Sequence, residues 1–299
     1  MKIAYIGLGK MGKNMVLRLL EQGIEVVAWN RSEGPVAEVV AAGATVASNF
    51  KELLGSLAER RIIWLMLPAG EVTDQIISEL LPDLKSGDLL IDGGNSFYKD
   101  TLRRSAELAK KGINYLDIGV SGGPGGARSG ACMMVGGNKA DYELLLPVIK
   151  AACAPDAYGY MGGNGAGHFV KMVHNGIEYG MMQAIAEGAA VLEESPFKPD
   201  LAEVFRVYNN KSVIESRLVE WARQAFAENP KLEDISSTIS HTGEGEWTIK
   251  TAKELGVEIP VIEKSFAVRL NSVNEKENFR NKVVSVLRNK FGHHKASKD

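Results

Sequence analysis

The hexapeptide Gly7-Leu8-Gly9-Lys10-Met11-Gly12 constrains this chain more than any other feature. It follows an apolar run, Lys2–Ile6, and opens a helical pattern, Met11–Gln22. In that setting each glycine has its own task. Gly7 permits a tight turn, Gly9 lets backbone approach a diphosphate, and Gly12 lets the helix pack closely on the strand, with the helix N-terminus facing the anion. Such a motif is weak in isolation. Here a second apolar run, Glu25–Trp29, follows at the distance a dinucleotide-binding βαβ unit requires. Gly7, Leu8, Gly9, Met11 and Gly12 are therefore candidate cofactor contacts, joined by Leu67 and Asn95 at the ends of later strands.

The end of the second strand reads the ribose. An enzyme that uses NAD usually places Asp or Glu there, whereas this chain has Trp29-Asn30-Arg31-Ser32. No carboxylate stands there to repel a 2′-phosphate, and Arg31 offers it a charged fork beside the Ser32 hydroxyl. Asn30, Arg31 and Ser32 thus point to NADP, with NAD as the alternative.

Beyond this unit the first half alternates apolar runs at Ile62–Leu67, Leu89–Asp92, Tyr115–Ile118 and Cys132–Val135 with helical patterns at Val72–Leu81, Tyr98–Lys111 and Ala140–Ala152. That rhythm predicts an α/β Rossmann-type, doubly wound domain with a parallel sheet over residues 1–167. From His168 onward the patterns are helical: Phe169–Glu194, Asp200–Asn209, Ser212–Ala227, Thr248–Leu255 and Pro260–Val273. An all-α domain over 168–299 follows, with the bend Gly162–Gly167 as hinge. A chain of 299 residues has room for both cores.

Composition removes other classes. With 24% charged residues and a formal charge of -2, the chain has no basic field for nucleic acid. No apolar run approaches the roughly 20 residues of a membrane span, and Lys2–Ile6 leaves no room for a signal peptide. Two cysteines, Cys132 and Cys153, near no histidine cluster, argue against a disulfide framework or a metal site and for a reducing, cytoplasmic setting.

The chemistry lies in Lys171-Met172-Val173-His174-Asn175-Gly176-Ile177-Glu178-Tyr179. At about 100° per residue, Lys171, His174, Asn175 and Glu178 fall within one sector of a helix, and Lys171 and Glu178 stand about 10 Å apart along the axis. An amine and an acid at that spacing suit the two ends of a small sugar acid. Two polar loops, Asp92-Gly93-Gly94-Asn95-Ser96 and Ser121-Gly122-Gly123, follow strands, where ligands of open α/β sheets collect.

Taken together, these residues resemble the 6-phosphogluconate dehydrogenase family, within the β-hydroxyacid dehydrogenases, along essentially the whole chain. The resemblance implies Lys171 as catalytic base and Glu178 as catalytic acid. It implies substrate contacts from Asn95, Ser121, Gly122, Gly123, His174, Asn175 and Tyr179. Glu244-Gly245-Glu246-Trp247-Thr248 resembles the family's Gly-rich turn before a helix, and Arg269 matches an arginine that meets the substrate phosphate. In Arg288-Asn289-Lys290-Phe291-Gly292-His293-His294, Arg288 and His294 match a tail that reaches a neighbouring subunit, which implies a homodimer or homotetramer. The chain departs from the pattern near Thr242, where relatives carry lysine, and at Glu246, and it lacks the second helical half of long-form members. The implied reaction is oxidative decarboxylation of 6-phosphogluconate with reduction of NADP or NAD. The neighbouring alternative is a non-decarboxylating β-hydroxyacid dehydrogenase or semialdehyde reductase, and a non-catalytic NADP-binding sensor is the alternative from another class.

Overall fold

The computed structural model describes residues 1–241, 243–292 and 296. The chain divides into two compact units, Met1–Met172 and Val173–Asp299.

The first unit is built on one eight-stranded sheet. Its strands are β1 (Lys2–Ile6), β2 (Glu25–Trp29), β3 (Thr45–Val46), β4 (Ile62–Leu65), β5 (Leu89–Asp92), β6 (Asn114–Ser121), β7 (Ala131–Gly137) and β8 (Cys153–Gly162), in the order β3-β2-β1-β4-β5-β6-β7-β8. The helices between them are α1 (Lys10–Glu21), α2 (Val36–Ala41), α3 (Phe50–Gly55), α4 (Glu71–Leu80), α5 (Tyr98–Ala109), α6 (Gly123–Ser129) and α7 (Lys139–Ala152). The central strands are near-continuous apolar runs because both faces are covered. Ile3, Tyr5, Trp64 and Ile91 enter one core, while Ala4, Ile6, Ile63 and Leu65 enter the other. Helix α1 keeps Met15, Val16 and Leu19 inward, each worth about 1.5–3 kcal/mol of burial.

Strands β1 to β6 pair in parallel, as the alternating pattern predicts, but β6 and β7 are antiparallel. A parallel crossover needs about a dozen residues or more. The link between Ser121 and Ala131 is shorter and can only turn the chain back. Strand β7 then pairs β8 in parallel.

Helix α8 (Ala166–Glu194) follows β8 after the glycine bend. The second unit continues through α9 (Leu201–Tyr208), α10 (Arg217–Glu228), α11 (Glu244–Leu255), α12 (Pro260–Asn271) and α13 (Phe279–Gly292). Side-chain caps set two of the starts: Asp200 accepts from the Ala202 amide, and Ser216 accepts from the Val219 amide. The core of this unit gathers Met182, Ala186, Phe205, Phe226, Val283, Val284 and Leu287. Among the described residues no helix is long and apolar enough to cross a membrane.

Candidate active site

In the first unit the glycine loop has the geometry its sequence demands. Gly7 sits at φ +100°, where a Cβ would lie 2.3 Å from the Met66 carbonyl oxygen. A Cβ on Gly12 would lie 2.0 Å from the Gly7 oxygen, so only glycine fits at the crossing of α1 and β1. Space above Gly9 is open to 4 Å, at the N-terminal end of α1. Backbone there can approach a diphosphate, and the residues fit a dinucleotide.

Asn30 ties this loop to the end of β2. Its Oδ1 accepts from the Leu8 amide at 2.8 Å, and its Nδ2 donates to the Ser32 carbonyl at 2.7 Å and to the Ser32 hydroxyl at 3.0 Å. Arg31 and Ser32 are exposed beside it. Met11 and Leu67 are half-buried and Leu8 is buried.

The loop that carries Asn95 hangs on a buried carboxylate that sequence reasoning left without a role. Asp92 Oδ1 accepts from the Gly94 amide at 3.0 Å. Its Oδ2 accepts from the Ser96 hydroxyl at 2.8 Å, the Tyr115 hydroxyl at 3.0 Å and Arg104 Nη1 at 3.3 Å. Arg104 is buried as well, and it continues to Asp74 at 2.8 Å and to the Gly70 carbonyl at 3.0 Å. Burial and the Asp92 charge push the Tyr115 hydroxyl well above its ordinary range. The only local signal for this network was an aspartate at a strand end followed by glycines, a side chain poised to bond the backbone two residues on. Asn95 itself is exposed, and Ser121, Gly122 and Gly123 are half-buried where β6 gives way to α6.

Lys171 is 8% exposed. A Cβ on Gly119 of β6 would come within 2.3 Å of Lys171 Cβ, so the root of the lysine lies directly on the strand backbone.

The second unit holds the other matched residues. His174 Nδ1 lies 3.1 Å from Asn175 Oδ1 and 3.9 Å from Glu178 Oε2, with Asn175 buried and Glu178 half-buried. Next along α8, the Tyr179 ring packs under Arg269, whose guanidinium carbon lies 3.3 Å from the ring centroid. Arg269 is 2% exposed, and among the described residues neither of its terminal nitrogens has a hydrogen-bond partner. Burial, with a smaller contribution from Arg288, lowers its pKa to about 10, while Tyr179, Glu178 and Glu244 act in the opposite direction. Burial raises the Tyr179 hydroxyl, against the pull of Arg269.

One expectation needs correcting here. Residues Glu244–Thr248 are not a turn but the opening of α11; Gly243, at φ +98°, makes the turn. Gly245 is needed for another reason, since a Cβ there would lie 2.5 Å from the Tyr179 ring. Arg288 sits on a helix of this unit. It is buried in α13, donates to the Ser240 hydroxyl at 2.6 Å, and has its pKa lowered by burial against the charges of Tyr179, Glu244 and Glu178. The apolar faces around it carry it inward as part of the helix. Ser240 had no signal of its own in the sequence, and Glu244 entered only as the first residue of a matched stretch. Thr242 and His294 lie outside the described residues.

Two family models together match nearly the whole chain. The family described as the NAD binding domain of 6-phosphogluconate dehydrogenase matches residues 2–162, and that described as the 6-phosphogluconate dehydrogenase C-terminal domain matches residues 167–299. The chain is 44% identical to a putative 6-phosphogluconate dehydrogenase of Bacillus subtilis, with 100% of both chains covered. It is 40% identical to the NAD(+)-dependent, decarboxylating enzyme of Haloferax volcanii, covering 100% of this chain and 99% of the relative. It is also 40% identical to the NADP(+)-dependent, decarboxylating enzyme of Bacillus subtilis, where 92% of this chain spans 62% of the longer relative. Among solved structures, the Plasmodium falciparum 6-phosphogluconate dehydrogenase, known apo and with NADP+ or 6-phosphogluconate, superposes with a TM-score of 0.83 at 29% identity, over 96% of this chain and 70% of that one. The chain belongs to the 6-phosphogluconate dehydrogenase family.

Proposed function

We propose that this chain oxidises and decarboxylates 6-phosphogluconate to ribulose 5-phosphate and carbon dioxide with Lys171 as base and Glu178 as acid, reducing NADP in preference to NAD. One observation carries the choice of substrate: Arg269 is buried, and both its terminal nitrogens lack a hydrogen-bond partner among the described residues. A guanidinium withdrawn from water with donors unmade is costly unless an anion completes it, and a sugar phosphate supplies one. A small unphosphorylated β-hydroxy acid leaves that arginine unanswered.

A nicotinamide cofactor held by the glycine loop would supply the hydride acceptor. The chain's own residues do the rest. Asn95 and the Ser121-Gly122-Gly123 turn hold the hydroxyls and carboxylate, with His174 and Asn175, while Tyr179, Arg269 and Arg288 take the phosphate end. Neutral Lys171 removes the proton of the C3 hydroxyl as the C3 hydride departs, leaving a 3-keto acid. The carboxylate β to that ketone leaves as carbon dioxide, and its bonding electrons form an enediol. The lysine, now protonated, donates to the developing oxyanion. Glu178 then delivers a proton to the carbon that becomes C1 of the product. Its place two turns along the same helix supports this division of labour.

NADP preference rests on Arg31 and Ser32, exposed at the end of β2 with no acidic side chain between Asn30 and Ser32. Residues 168–299 form the substrate and dimerisation domain in this reading. Met181, Val191, Val213 and Ile214 leave an apolar groove on α8 to α10 exposed, which supports a homodimer or homotetramer. A sugar-phosphate substrate and the free thiols Cys132 and Cys153 support a cytoplasmic setting.

The decisive assay follows 6-phosphogluconate with NADP and NAD in parallel, measuring reduced cofactor and released carbon dioxide. Reduction without carbon dioxide would replace this reading by that of a non-decarboxylating β-hydroxyacid dehydrogenase. No turnover of any sugar acid would leave only a binding protein.

A further inference from the structure

Strand β6 spells Asp117-Ile118-Gly119-Val120-Ser121, and alternate residues of a strand share a face. Asp117, Gly119 and Ser121 therefore line one side of the strand, and each is engaged differently. Ser121 ends the strand at the ligand loop. Gly119 lies against Lys171.

Asp117 is fully buried. Its Oδ1 accepts from the Gly165 amide at 2.8 Å and its Oδ2 from the His168 amide at 2.9 Å. The first amides of a helix have no partner within it, and α8 begins at Ala166. A carboxylate from a strand, 48 residues earlier than Gly165, thus does the work of a helix cap, and its charge faces the positive end of the helix dipole.

Glycines close the contact. A Cβ on Gly167 would lie 2.5 Å from the carbonyl oxygens of Asp117 and Met134, and one on Gly136 would lie 2.6 Å from the Gly167 amide nitrogen and 2.7 Å from Asp117 Oδ1. At Gly167 the first turn of α8 is pressed directly onto the backbones of β6 and β7, beside the Asp117 carboxylate. His168, one residue from the capped turn, adds a tie of 2.7 Å from its Nδ1 to the Thr101 hydroxyl on α5.

We propose that Asp117 is a positioning residue for Lys171. Its carboxylate fixes the depth and rotation of the first turn of α8, and Gly119 is the seat on which the lysine stem rests. Ser121, two residues further along the same face, then stands in fixed register with the base. Asp92, the register partner of Asp117 on β5, does the same service for the Asn95 loop, so two adjacent strand aspartates hold two sides of one ligand edge. The proposal rests on Lys171 being the base.

The test uses the full chain with Asp117→Asn and Gly119→Ala. Asparagine keeps the size but sets an N–H donor against one of the two backbone amides. Alanine at 119 requires Lys171 Cβ to retreat from a separation of 2.3 Å to ordinary contact, a displacement on the order of 1 Å. Misplacement of that size costs about 100-fold in turnover. The expected result is a kcat lower by about that factor with the dissociation constant for NADP, measured by fluorescence titration, within about twofold of the parent. A kcat within about threefold of the parent in a folded Asp117→Asn chain overturns the proposal. So does a loss of NADP affinity that matches the loss of kcat, and so does failure of both variants to fold, which would make the cap a matter of stability alone. Lys171→Met, run alongside, separates the two readings: near-parental turnover there removes the base itself, whatever the Asp117 variant does.

Discussion

Replacing Arg269 by methionine tests the phosphate site through stability and catalysis at once. The folded pKa of about 10, below the ordinary guanidinium range, corresponds to roughly 3 kcal/mol of disfavoured charge in the ligand-free chain. The folded value is the lower one, so the unfolded chain holds this proton more tightly. The cost is fully present at neutral pH and is relieved only as pH rises above about 10. Methionine keeps much of the stem's volume and removes the charge, but it forfeits the contact with the Tyr179 ring, worth about 1–2 kcal/mol when desolvated. The ligand-free variant is therefore expected to be more stable than the parent by about 1–2 kcal/mol, a rise in Tm of roughly 3 °C or more. Inorganic phosphate should raise the Tm of the parent and leave that of the variant unmoved. The KM for 6-phosphogluconate should rise about 100-fold, since two charge-assisted hydrogen bonds are lost. Calorimetry with and without phosphate, beside steady-state kinetics, checks all three. A variant less stable than the parent, with an unchanged KM, would refute the idea that Arg269 is held ready for an anion.

Lys171→Met should lower kcat by about 10²- to 10⁴-fold in a steady-state assay while fluorescence titration shows NADP binding intact. Arg31→Ala should raise the KM for NADP by about 10- to 100-fold and leave that for NAD unchanged; an equal effect on both would assign Arg31 no part in reading the 2′-phosphate. Asp92→Ala leaves Arg104 its Asp74 partner but takes the acceptor from the buried Ser96 and Tyr115 hydroxyls and releases the Asn95 loop, so denaturant unfolding should show a loss of about 1–3 kcal/mol, with a raised KM for 6-phosphogluconate.

Elements whose local preferences agreed with their packing could be read directly. The β1–α1–β2 unit announces itself because the hydrophobic period changes at glycines that the backbone needs. Others were hidden by residues that local rules assign elsewhere. Helix α6 begins Gly123-Pro124-Gly125-Gly126, a composition of turns; it forms because Ala127 is buried in the core and Arg128 pairs with Glu21 of α1. Strand β8 carries Pro155, Asp156 and Gly159 and is only half-buried at the sheet edge, so it shows neither an apolar run nor clean alternation. Strand β3 has two residues and no pattern to find. Helix α13 is not marked in the sequence apart from the stretch from Arg288 that resembles the family's tail, although Val283, Val284 and Leu287 commit the helix to the core.

The candidate site divides along the same line. Helical periodicity brings Lys171, Asn175 and Glu178 onto one face of α8 without any knowledge of what lies opposite. It says nothing of Asp92, Asp117, Ser240 or Glu244, whose partners are met only through packing; Ser240 and Arg288 lie 48 residues apart. Arg269 shows how such positions could still be sought. Its neighbours Phe266 and Val268 are core residues, so the helix turns that side inward, while an arginine ordinarily claims water. Local rules thus disagree at one position. A disagreement of that kind survives in a folded chain when something other than stability requires it, and in the proposed function that requirement is an anion completing the buried guanidinium.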